Sequence, residues 1–335
     1  QKGIATSSSQ ITETSILADV SQKTGFAEAR SAAKVGRQVT VGECCTQLYW
    51  NKESNQIRFI DQLVPDAPLG VWEVDVTTPD AQPELVTDRL GLYSPDGTLI
   101  AYPDPEQGLA VVERLADGQT WTIDTQERGL VFTPDSQRIF WMTYDQDQPW
   151  DTRFETMWIA NFDGSNARVL LEGRRIDPIA WLPDDALLMA RRVSGSSDET
   201  LFILSLTDSR QTELLTVPNM RGVTLSDDRR YLVYYTQLEA NPNENGVWLL
   251  DLTDRKPTPE KLPFFGAYRW RDNERLVYVP FEPEATEHNF YEYDVVSGRD
   301  RNLFPNGTGL VIANNDWQVS PDGKRIALLA STGSE

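Results

Sequence analysis

The stretch "LYSPDGTLIAY", residues 92–102, returns near the other end of the chain as "QVSPDGKRIALL", residues 318–329. Proline presets φ at the second position of such a turn, and aspartate is at home at the third. Glycine at the fourth tolerates the left-handed conformation that folds the chain back into a hairpin. Weaker copies lie between the two: Thr133-Pro134-Asp135-Ser136, Leu182-Pro183-Asp184-Asp185, Leu225-Ser226-Asp227-Asp228 and Trp270-Arg271-Asp272-Asn273, with a degenerate one at 50–55. Aligned from Trp50, the steps are 44, 39, 49, 43, 45 and 50 residues, a near-constant period. Such a period marks a repeat architecture.

Each turn is followed by a short apolar, aromatic-rich run such as "IFWMTY", "LLMA", "YLVYY" or "IALLA", strands by composition and length. Farther on comes a second pair of strands around a polar turn, as in "MWIANFDGSNARVLL" and "LFILSLTDSRQTELL". One unit therefore supplies four antiparallel strands, the blade of a β-propeller. The expected fold is all-β with seven four-stranded blades, six complete blades plus a partial one being the alternative. Residues 1–36 are expected to form an N-terminal extension that supplies strands to close the ring, and 37–335 the propeller. The strand candidates for closure are 15–25 and 37–43.

The unit resembles the WD40-like PD40 repeat of TolB-type β-propellers. It shares the SPDG turn, the I-A-Y/F strand and the later strand ending in aspartate, matched best by residues 92–102, 318–329 and "VWLLDL" at 247–252. That resemblance implies a bacterial protein outside the cytoplasm (periplasm, cell surface or secreted) that binds other proteins. Related blades also form the non-catalytic propeller of prolyl-oligopeptidase-type peptidases.

Charge narrows the partners. With 31 Lys+Arg against 51 Asp+Glu, the net charge is −20, which repels nucleic acid. No apolar run is long enough for a transmembrane helix. The two cysteines, Cys44 and Cys45, are adjacent and offer no disulfide framework. The single histidine, His288, stands among acidic residues in "EATEHNFYEY" and reads as a surface residue, with no G-x-S-x-G before it.

Two features differ between the repeats. The first is the insertion "YDQDQPWDTRFE", 144–155, where Asp145, Asp147 and Asp151 are weak candidates for a hard cation such as Ca²⁺. A solvated acidic loop is the plainer reading, and no cofactor is expected. Trp141 and Trp150 flank the insertion as candidate contact residues. The second is the blade junctions "TDRLG", "QERGL", "GRRID" and "NMRGV", which place Arg89, Arg128, Arg175 and Arg221 before successive first strands. Guanidinium forks suit carboxylates and phosphates, so an arginine-lined channel mouth is expected to bind an acidic peptide or another carboxylate-bearing partner. Pairing with aspartates of neighbouring blades is the plainer reading.

The function expected from the sequence is a non-catalytic protein-binding or assembly module, a subunit of a larger surface complex. The alternative is the propeller portion of a peptidase, or a carbohydrate-active hydrolase or lyase.

Overall fold

The computed structural model describes strands at residues 13–19 and 36–38, and residues 46–331 apart from 64–66, 150–151, 238–240 and 255–256. The two cysteines, Trp150 and Asp151 lie outside the described residues. Seven four-stranded antiparallel sheets form the blades of a β-propeller. Six are meanders of consecutive strands, at 46–87, 92–123, 130–174, 176–218, 220–261 and 266–302. The seventh is composite. Its first two strands are Val311–Val319 and Arg325–Ser331, and its other two are Glu13–Asp19 and Gly36–Gln38. Glu13 lies opposite Ser331 and Asp19 opposite Arg325, so the last strand of the chain is paired along its whole length.

The chain divides into two compact units. One holds residues 1–89, 226–228 and 264–335; the other holds 90–225 and 229–263.

Within each unit the core lies between facing sheets, which is why the second strands read as unbroken apolar runs. Successive side chains of a strand point to opposite faces. In the first unit Ile326, Leu328 and Ala330 pack with Val277, Phe290 and Trp317, while Ala327 and Leu329 pack with Ile57, Phe59 and Val74. In the second, Leu187 and Met189 join Phe140, Met157 and Ile159, and the alternate Leu188 and Ala190 join Leu232, Tyr234 and Leu250.

Hydrogen bonds correct the register of the repeat. Ser94 Oγ donates to Asp96 (2.7 Å) and accepts from the Leu99 N–H (2.9 Å), and Gly97 holds φ +72°. Ser226 Oγ donates to Asp228 in the same way (2.7 Å), so the fifth turn starts at Ser226 rather than Leu225. In the first, the Ser54 N–H closes on the Asn51 carbonyl (3.2 Å) just as Gly97 N–H closes on Ser94 (2.8 Å), so that turn starts at Asn51.

Where glycine is missing at the fourth position, the replacement clasps a neighbouring blade. Ser136, at φ +59°, accepts on Oγ from the Asp96 N–H (3.1 Å). Ser54, also at φ +59°, accepts from the Asp322 N–H (2.9 Å), and its carbonyl accepts from Arg325 (2.8 Å). Asp185 pairs with Arg138 of the preceding blade.

Candidate functional site

In an antiparallel meander the starts of the first and third strands and the ends of the second and fourth share one sheet edge. In the second unit that edge gathers charged residues from two sources, the junctions and the second-to-third-strand loops.

Arg128 is fixed by a turn in which Thr125 Oγ donates to the Arg128 carbonyl (2.6 Å) and Arg128 N–H donates to Thr125 O (3.2 Å). Its guanidinium stands 4.0 Å from the centroid of the Tyr144 ring, and that of Arg153 stands 4.2 Å from the same ring. Tyr144 ends the strand Arg138–Tyr144, and Arg153 immediately precedes the strand Phe154–Asn161. Arg128 also lines a cavity of about 620 Å³ with walls from Leu92, Tyr102, Pro103, Leu109 and Leu130.

One blade on, Glu155 is 8% exposed and accepts the Ile176 N–H on Oε2 (2.8 Å). That bond holds the junction residue Arg175, which is nearly buried, adopts φ +49° and faces Asp177 at 3.9 Å. Arg192 N–H donates to the Arg175 carbonyl (3.1 Å), and Arg192 Nε to Ser196 O (3.0 Å). Glu199 lies directly across the sheet from Arg192 and is half-buried. Arg221, one junction farther, is exposed.

The two glutamates differ from ordinary surface carboxylates. Burial pushes Glu199 above the usual range, and Asp177 adds to this, while Arg221, Arg175 and Arg192 oppose it. Burial also raises Glu155, against the Ile176 N–H; Asp177 pushes it further up, and Arg175 and Arg153 pull it down. A carboxyl kept protonated to higher pH beside guanidinium groups is an arrangement suited to proton transfer on an anionic ligand.

Of the residues expected from the sequence, Arg128, Arg175 and Arg221 lie on this edge. Arg89 is exposed in the first unit, with its N–H donating to Thr87 Oγ (3.0 Å). Trp141 is 5% exposed and stacked on Trp158 with centroids 6.0 Å apart, so it packs mainly in the core. Asp145 and Asp147 are exposed, and Asp145 accepts the Asp147 N–H (3.0 Å) in a local turn. His288 is half-buried and held in place: it accepts the Ile312 N–H on Nδ1 (3.0 Å), and its backbone N–H donates to Leu310 O (2.7 Å). Sequence reasoning missed Tyr144, Arg153, Glu155, Arg192 and Glu199. A signal existed for the glutamates, since "FET" at 154–156 and "DET" at 198–200 open consecutive third strands.

No family model matches the chain, and no curated protein matches it in sequence. Among solved structures it is similar to "Oligogalacturonate lyase in complex with manganese", with TM-score 0.57 at 13% identity, covering 84% of this chain and 87% of that one. The acylaminoacyl peptidase of Pyrococcus horikoshii overlays with TM-score 0.51 at 14% identity over 77% of this chain. TolB from Acinetobacter baumannii gives TM-score 0.44 at 11% identity over 96% of this chain. The chain spans 45% of the peptidase's length and 64% of TolB's. At these identities the likeness is one of fold.

The likenesses correct the expected function. The lyase and the peptidase, which overlay with TM-scores of 0.57 and 0.51, are enzymes, so the fold does not favour the expected non-catalytic module over the enzymatic alternative. The lyase's manganese does not transfer with the fold. Guanidinium groups crowd this edge, the one histidine is in the first unit, and among the described residues no three His, Cys, Asp or Glu side chains converge on a metal position. That donor set does not fit manganese. Among the described residues no helix is long and apolar enough to cross a membrane.

Proposed function

We propose that the chain is a carbohydrate-active hydrolase or lyase acting on a saccharide that bears carboxylate groups. The observation that carries this reading is Glu199, half-buried, with its carboxyl pushed above the usual range by burial, beside Arg175, Arg192 and Arg221. The arginines bind and neutralise a sugar carboxylate, Arg221 from the exposed side. Neutralisation makes the hydrogen on the adjacent carbon easier to remove, which favours elimination. Water takes that hydrogen as a proton, the carbon–oxygen bond to the departing sugar breaks as the carbon–carbon double bond forms, and Glu199 in its protonated form delivers a proton to the departing glycosidic oxygen. Glu155, pinned by the Ile176 N–H, positions the Arg175 segment and does not touch substrate. The extent of the lyase overlay, 87% of that chain, supports a catalytic unit made of blades alone. A PD40-type propeller placed outside the cytoplasm would meet such polysaccharides.

The experiment is incubation with acidic and neutral polysaccharides, following both reducing ends and the ultraviolet absorbance of unsaturated products. Cleavage restricted to acidic chains, abolished in Glu199→Gln and slowed mainly through KM in Arg221→Ala, is the expected result. Cleavage that Glu199→Gln leaves intact, or none on any uronate polymer, overturns the reading.

A further inference from the structure

Arg128 and Arg153 raise a question that the proton-transfer site does not answer. Both guanidinium groups approach the same Tyr144 ring, at 4.0 and 4.2 Å. Each has a buried Nε without a hydrogen-bond partner, and among the described residues neither side chain forms an ion pair. The chain has 51 carboxylates for 31 Lys and Arg side chains, so two neighbouring guanidinium groups with no close ion pair among the described residues, Glu155 acting on Arg153 only from farther away, are against the composition. Packing them on one ring also sets like charges near each other, an arrangement relieved by an anion. Stacking fixes the planes of the guanidinium groups, which prepares them to bind an oxyanion.

What lies beside them indicates the rest of the ligand. The cavity of about 620 Å³ that Arg128 lines is within the range of small-molecule sites. Its walls are largely apolar, from Leu92, Tyr102, Pro103, Leu109, Ala110 and Leu130, with charge from Arg128, Glu127 and Asp104. A fully hydrated polyanion gains nothing from such walls. The backbone leading into Arg128 is strained, with Gln126 at φ +53° and Glu127 at φ +60°, and the Thr125 turn holds it there. Strain of this kind persists where the surrounding structure fixes a side chain in place.

We infer that this cleft is a binding site, separate from the Glu199 centre, for a small carboxylate-bearing molecule with an apolar or ring-shaped body. The carboxylate meets the Arg128 guanidinium, which the Tyr144 ring with Arg153 against it holds in place, and the body fills the cavity that Arg128 lines. The site needs no catalytic step, so it stands whether or not the chain cleaves saccharides.

The test is equilibrium binding by calorimetry with three probes, benzoate, acetate and inorganic phosphate, on the full chain. Benzoate is expected to bind more tightly than acetate or phosphate. Its affinity should fall by at least about tenfold in Arg128→Ala and in Arg153→Ala. Tyr144→Phe should bind benzoate as the wild type does, because the ring is kept. Circular dichroism checks that the variants fold, and Arg128→Lys, which keeps the charge without the fork, should bind at an intermediate level. No benzoate binding to the wild type, or unchanged binding in both arginine variants, overturns the site. Phosphate binding more tightly than benzoate overturns the apolar body.

Discussion

Ser136 shows how a departure from the repeat can add an interaction. Glycine would fit its φ of +59° with less strain, yet only a side-chain oxygen can accept the Asp96 N–H from the preceding blade. Ser136→Gly is therefore expected to destabilise the protein, by about 1 kcal/mol for the lost hydrogen bond, despite relieving the backbone. Thermal melts of Ser136→Gly and Ser54→Gly check this, and a raised midpoint in both would contradict it. At Glu199 the prediction concerns pH. Its folded-state pKa is raised, so the native state binds the proton more tightly than the unfolded chain does. Its contribution to stability is fully present below the unfolded value, about 4.3, and is lost as pH rises through the folded value. Glu199→Gln should flatten stability against pH across that window, measured by urea titration at several pH values. Of these residues the turn was legible in sequence, because Pro, Asp and Gly act locally. Glu199 was not, because its raised pKa comes from burial and from Asp177, which stands on another strand.

At the scale of the strand, the second strand of each blade is the element that both faces of the core share. Leu188 and Leu328 are fully buried, one in each unit. Truncating either to alanine removes packing on which facing sheets depend and should cost about 2–5 kcal/mol. Val131, exposed on the short strand Leu130–Phe132, should tolerate alanine with little change. Denaturant melts of the three variants separate these outcomes. The apolar runs made these strands readable, but not their double-sided burial, since an unbroken run fits several environments. The candidate edge was half legible for a related reason. Junction arginines recur at a visible spacing, whereas Tyr144, Arg153 and Glu155 meet them only once the meander brings loop and junction to one edge.

At the scale of the whole chain, the seventh sheet joins residues some three hundred positions apart, Glu13–Asp19 with Arg325–Ser331. Removing residues 1–20 uncovers the full edge of the last strand, and an exposed apolar edge invites pairing between molecules. The truncated chain is expected to melt lower and to aggregate, by light scattering, at concentrations where the full chain stays dispersed. Net charge acts at the same scale: at −20 the compact state repels itself, so moderate salt should raise the melting midpoint. The sequence by itself determined the all-β class, the blade as the repeating unit and the number of turns. Each of these rests on local rules, turn chemistry and strand composition that repeat with a visible period. Only the tertiary structure decided the register of the first and fifth turns and the blade clasps at Ser54 and Ser136. It alone also put two arginines on one tyrosine and Glu199 among three arginines, because such contacts and the burial that shifts a carboxyl group exist only after distant strands have packed.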